Sequence, residues 1–114
     1  MRNTRLISWL KGAQNDFEAF PADVQLEARR ALTIAAEGAK ADTAKPFKGV
    51  DGGVFEIALK HRGNAYRVIY AVQLSVDLVL IDAFQKKSKT GIKTPKVYID
   101  RIRQRIKRLK DELR

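Results

Sequence analysis

A short apolar run from Thr4 to Leu10 predicts a first strand that ends near Lys11-Gly12. Beyond it, Leu10, Ala13, Phe17 and Phe20 recur at helical spacing until Pro21 breaks the pattern. Proline does this by disfavouring helical geometry in the residue before it. Pro21 then opens a longer helix. Val24, Ala28, Ala31, Leu32, Ala35 and Ala39 share its apolar face, opposite Asp23, Glu27, Arg30 and Glu37. Gly38 and the polar run to Asp42 and Thr43 end it, and Lys45-Pro46-Phe47-Lys48-Gly49 with Asp51-Gly52-Gly53 forms a turn-rich connector.

From residue 54 the hydrophobic period changes from 3.6 to about 2. Val54, Glu56, Ala58 and Lys60 alternate with Phe55, Ile57 and Leu59, which gives a strand with one strongly apolar face. Lys60-His61-Arg62-Gly63-Asn64 is a hairpin loop, Tyr66 to Val72 the returning strand, and a turn near Gln73 to Ser75 leads into a third strand over 76–84. After a lysine-rich loop, Thr94-Pro95 offers a hydroxyl cap followed by proline at the first helical position. Ile99, Ile102, Ile106, Leu109 and Leu113 then repeat at spacings of 3, 4, 3 and 4, one stripe on a long helix. The order β-α-α-β-β-β-α predicts one α+β domain over residues 1–114, a mostly antiparallel sheet packed against helices.

The 114 residues suffice for a single core. The absence of cysteine excludes disulfide frameworks, thiolate metal sites and cysteine nucleophiles, and makes the cytoplasm the expected compartment. No apolar segment has the length of a signal peptide core or of a membrane span, so secretion and a membrane partner are not expected. Charge is more specific. Lys and Arg total 23 against 13 Asp and Glu, and residues 84–114 hold 12 of the basic and 3 of the acidic side chains, a net +9 out of +10. Basic residues threaded through an apolar helical period belong to a folded surface, and such a surface calls for a polyanion.

The single His61 excludes mechanisms that need two imidazoles. Glu56 and Lys60 stand about 13 Å apart along a strand, too far for one compact metal site. Gly49, Gly52 and Gly53 precede a strand instead of feeding a helix N-terminus, so no phosphate loop is built. No metal or cofactor is expected. What remains is cationic. Alternation sets Arg67 and Ile69 opposite Tyr66, Val68 and Tyr70, and places Arg67 on what should be the solvated sheet face. Lys86, Lys87, Lys89 and Lys93 follow the third strand, and Lys60 and Arg62 flank the hairpin. Converging cations can cleave RNA without metal. The 2′-hydroxyl attacks the adjacent phosphorus, an arginine clamps the phosphate, and a lysine with depressed pKa takes the proton.

Lys45-Pro46-Phe47-Lys48-Gly49, Gly53-Val54-Phe55-Glu56-Ile57, Tyr66-Arg67-Val68-Ile69-Tyr70 and above all the segment from Ala83-Phe84-Gln85-Lys86-Lys87-Ser88-Lys89 to Thr94-Pro95 resemble the phage-derived Gp49-like, HigB-type toxins of the RelE superfamily. The resemblance covers almost the whole chain. It implies the toxin of a toxin–antitoxin pair, a ribosome-dependent mRNA endonuclease neutralised by a HigA-like helix-turn-helix antitoxin, with DNA contacted only through that partner. By position it assigns Arg67 to the scissile phosphate, Lys86, Lys87 and Lys89 to the catalytic group, and Lys60 to a supporting cation. Arg62, Lys93, Arg101, Arg105 and Arg108 are the further candidates for RNA or ribosome contact. The chain ends in Asp111-Glu112-Leu113-Arg114 and lacks the terminal tyrosine or histidine used by several branches, which leaves the acid and base unassigned. A non-catalytic RNA- or ribosome-binding module, or an inactive toxin homologue, is the alternative on the same charge pattern.

Overall fold

The computed structural model describes residues 4–50, 52–86 and 94–113. The elements run β1 (Ile7–Trp9), α1 (Lys11–Glu18), α2 (Ala22–Ala36), β2 (Ala44–Pro46), β3 (Val54–His61), β4 (Asn64–Ala71), β5 (Leu78–Lys86) and α3 (Lys96–Glu112). The sheet order is β1-β5-β4-β3-β2, antiparallel except where β1 lies parallel to β5. The α+β expectation therefore holds, with one addition. The connector after α2 contributes β2, a three-residue edge strand paired with β3. Pro46 hides it in the sequence, because proline is read as a strand breaker yet is tolerated on an edge.

The two N-terminal helices meet at a corner made by Pro21, and Gln25 Nε2 donates to the carbonyls of Phe20 and Glu18 that α1 leaves open. α2 ends where Gly38 takes φ +97°; the Gly38 and Ala39 N–H groups return to Ala35 and Ile34, a Schellman stop. The β3–β4 hairpin turns on Arg62 and Gly63, both at positive φ, the two-residue turn whose twist suits a hairpin.

Both faces of the sheet are covered. Val24, Ala28, Ala31, Leu32 and Ala35 of α2 and Ala13 and Phe17 of α1 pack on Ile57, Leu59, Tyr66, Val68, Tyr70, Leu78 and Leu80. Trp9, Phe17, Phe20 and Tyr66 run through this layer as successive ring contacts of 4.9 to 5.7 Å. On the other face Ile102 and Ile106 of α3 pack on Val54, Ile69, Ala71, Val79, Ile81 and Phe84. Arg67 shares that second face, so the mid-sheet arginine is not on a solvated surface as expected. Its side chain is only 15% exposed.

A bulge in β5 sets which residues reach the second face. Ile69 pairs with Asp82 but Tyr70 pairs with Leu80, leaving Ile81 as an extra residue. Val79 and Ile81 therefore face α3 before the bulge, and Asp82, Phe84 and Lys86 face it afterwards. Without that slip every side chain of the second half of β5 would point to the opposite layer.

Candidate functional site

Pairing register lays the second face out as a grid. One row is Lys45, Glu56, Ile69 and Asp82; the next is Ala58, Arg67 and Phe84; the third is Lys60, Ala65 and Lys86. Arg67 is thus diagonal to both Glu56 and Lys86, within reach of long side chains. Ala58 and Ala65 fill the positions beside Arg67, Lys60 and Lys86 with small side chains, which keeps the floor between the cations low.

Glu56 is the anion of this cluster. Its carboxylate, 6% exposed, lies 3.7 Å from Arg67 Nε and 3.7 Å from Lys45 Nζ, and accepts a hydrogen bond from Thr94 Oγ1 at 3.4 Å. The Thr94 hydroxyl therefore does not cap α3. Pro95 occupies the cap position and its carbonyl receives the N–H groups of Tyr98 and Ile99. Arg67 also donates from Nη1 to the Tyr66 carbonyl at 3.2 Å, which fixes the guanidinium over the sheet. Lys86 is 2% exposed. Burial pushes its pKa below the usual lysine range, the Arg67 guanidinium and the Lys45 ammonium push the same way, and Glu56 opposes them.

Asp82, fully buried in the first row, organises a separate cluster. Arg101 grips it through Nε at 2.9 Å and Nη2 at 2.5 Å, and Arg105 Nη1 reaches the same carboxylate at 3.3 Å and the Ile81 carbonyl at 3.1 Å. The Ala83 N–H donates to Asp82 as well. This pairing raises the Arg101 pKa further above its ordinary value. Tyr98 stacks on Phe84 at 4.2 Å and lies under Arg101, completing the contact between the start of α3 and β5.

Of the residues singled out from sequence, Arg67, Lys86 and Lys60 come together on the grid. Arg62 is exposed at the hairpin tip, one turn away from Lys60, and Arg108 is exposed on α3. Arg101 and Arg105, expected on the RNA-facing surface, are instead turned inward to Asp82, which alone among the β5 residues supplies a buried carboxylate for them. Arg103 is likewise engaged, donating to the Gly49 carbonyl at 2.9 Å. Lys87, Lys89 and Lys93 lie outside the described residues. Sequence reasoning missed Lys45, Thr94 and the site role of Glu56. The available signal for Glu56 was an acid between Phe55 and Ile57 in an apolar strand. Among the described residues no group of three His, Asp or Glu side chains could hold a metal ion, and no helix is long and apolar enough to cross a membrane.

Residues 15–107 match the family described as Phage derived protein Gp49-like. The chain belongs to the phage-derived Gp49-like family. No curated protein matches it. The Gp49-like fold described above is similar to that of a double mutant of the E. coli toxin RelE in the free state, with TM-score 0.63 and 15% identity over 89% of this chain and 97% of that one. A second structure of isolated E. coli RelE gives 0.57 and 16% over 88% and 97%. The toxin–antitoxin complex RelBE2 from Mycobacterium tuberculosis gives 0.51 and 15% over 75% and 95%. At such identities the likeness is one of fold. This Gp49-like chain has the architecture of the RelE toxins.

Proposed function

We propose that this chain is the toxin of a toxin–antitoxin system and acts in the cytoplasm as a metal-independent endonuclease on ribosome-bound mRNA. The observation that carries the proposal is the nearly buried Lys86, its pKa depressed, diagonal to Arg67 on one sheet face. The RelE architecture and the Gp49-like family support it. The Arg67 guanidinium holds the non-bridging oxygens of the scissile phosphate and stabilises the charge that builds on them. Neutral Lys86 accepts the 2′-hydroxyl proton as that oxygen attacks phosphorus. The bond to the 5′-oxygen breaks, and that oxygen takes up a proton from water as it leaves. The products are a 2′,3′-cyclic phosphate and a 5′-hydroxyl end. Glu56 keeps Arg67 aligned, Lys60 adds charge along the backbone, and Lys87 and Lys89 belong to the same basic stretch.

Neutralisation falls to a cognate antitoxin of the helix-turn-helix type, which carries the DNA contacts of the pair. A similar fold is known in a toxin–antitoxin complex. A partner with an acidic face suits the cationic grid. Controlled expression of wild type and Arg67→Ala in a bacterial host, with 5′-end mapping of mRNA, tests the proposal. Growth arrest with new in-frame 5′-hydroxyl ends, lost in Arg67→Ala, is expected. A folded, soluble wild type that binds ribosomes but produces no new ends replaces the nuclease with a binding module.

A further inference from the structure

A carboxylate offers about four acceptor positions. Glu56, although almost wholly buried, fills one of them among the described residues, with the 3.4 Å bond from Thr94. Lys45 and Arg67 stand at 3.7 Å, close enough for charge attraction but too far for a hydrogen bond. No buried side-chain oxygen among the described residues is left without a partner, so the acceptor positions that Glu56 leaves free are those open to the space beside it. Glu56 lines a cavity of about 480 Å³ together with Lys45, Lys48, Thr94 and the apolar side chains of Phe47 and Ile99, a size and lining that suit a small organic group.

The chemistry of that group is constrained from two sides. Lys45, Lys48 and the neighbouring Arg67 and Lys86 repel a cation, so the donors that satisfy Glu56 must belong to a neutral moiety, and an anion attached to it suits the lysines. Two side-by-side N–H donors match the two carboxylate oxygens. Among RNA bases only guanine has them, at N1 and N2. Adenine and cytosine each set a ring-nitrogen acceptor beside the amino group, and the uracil N3–H is flanked by two carbonyls that a carboxylate repels.

We propose that this cavity is a guanine subsite, in which the Glu56 carboxylate accepts from N1–H and N2–H of an RNA guanine whose phosphate lies toward Lys45 and Arg67. It rests on the RNA-directed function above and adds a base preference to it. Reading a base by its Watson–Crick edge requires it to be unpaired, as in single-stranded message.

Calorimetric titration of the purified full chain with GMP, AMP, CMP, UMP and inosine monophosphate, together with amide NMR shifts, tests the subsite. GMP is expected to bind about tenfold more tightly than AMP, CMP or UMP, inosine monophosphate to fall between because it lacks the N2 amino group, and shifts to centre on Phe47, Lys48 and Thr94. Glu56→Gln is expected to level the four affinities, whereas Arg67→Ala weakens all four alike. Equal affinities in the wild type, or a guanine preference that survives Glu56→Gln, overturns the subsite. Should Glu56→Gln fail to fold, the wild type decides: inosine monophosphate binding as tightly as GMP, or shifts elsewhere, overturns it. A guanine preference in a protein that cuts no mRNA keeps the subsite and removes the nuclease. Cutting without any guanine preference does the reverse.

Discussion

An ammonium group held almost out of water beside a guanidinium gives up its proton more readily than a lysine on the surface, and for Lys86 this has consequences for both stability and rate. Its pKa is lower in the folded chain than in the unfolded one. Between those two values the unfolded chain binds more protons, so stability rises with pH across that window. Lys86→Met has a similar shape and no proton to lose. Wild type is therefore expected to gain stability relative to Lys86→Met as the pH is raised from about 7 toward about 10, which urea unfolding at both ends of the range measures; a constant difference removes the depressed pKa. Cleavage should respond in the same direction. As a general base Lys86 must be neutral, so the rate in a purified translation system should climb with pH above neutrality, and Lys86→Met should lose about a hundredfold or more and flatten the profile. Arg67 was legible as a candidate because a basic residue inside an apolar strand stands out, and Lys86 because it opens the lysine-rich run that follows the third strand. Their convergence was not. It depends on Ile81 bulging out of β5, and in a strand that is apolar at nearly every position alternation carries no record of a one-residue slip.

The final helix owes its place to the same bulge. Asp82 follows Ile81 onto the α3 side and becomes the buried anchor for Arg101 and Arg105. Removing one partner of such a cluster strands the others, so Asp82→Asn is expected to destabilise the fold by about 3 kcal/mol. The low end of the range applies because Arg101 keeps about a third of its side chain in water. Chemical unfolding measures it, and a loss below about 1 kcal/mol would show that Ile102 and Ile106 hold the helix unaided. Gly12 of α1 belongs to this contact too: a Cβ built there falls 2.6 Å from Arg105 Nη2. Alanine in a helix is ordinarily worth about 1 kcal/mol over glycine. Gly12→Ala should nevertheless bring no gain, because it pushes Arg105 away from Asp82, and the gain should reappear when Gly12→Ala is made in an Arg105→Ala background. Helix periods, the hairpin and the helix stop at Gly38 could all be read from the sequence, since each is local. The inward turn of Arg101 and Arg105 could not, because i, i+4 basic residues look alike whether they face water or a carboxylate from a distant strand.

Across the whole molecule, the formal +9 over residues 84–114 overstates the charge available to a polyanion. Arg101 and Arg105 are committed to Asp82 and Arg103 to the Gly49 carbonyl, so part of the basic helix braces the fold. The cations positioned for a backbone come from the sheet: Lys45, Lys60, Arg67 and Lys86 on one face. Binding to single-stranded RNA should separate the two surfaces through its salt dependence, because each phosphate neutralised adds about 0.7 to the slope of log affinity against log salt. Lys60→Ala, on the grid and exposed, should lower that slope by about 0.7 and weaken binding to RNAs of every sequence. Arg108→Ala, exposed on α3 two positions beyond the buried Ile106 and so directed away from the sheet, should leave the slope unchanged. Filter binding of both variants over a range of salt supplies the comparison. Equal losses from the two would mean that RNA also runs along α3, and the sheet face would then be only one part of a broader basic track. A loss confined to Lys60→Ala would place the RNA backbone along the row that leads from the hairpin to Lys86, where the 2′-hydroxyl must lie for the proposed proton transfer.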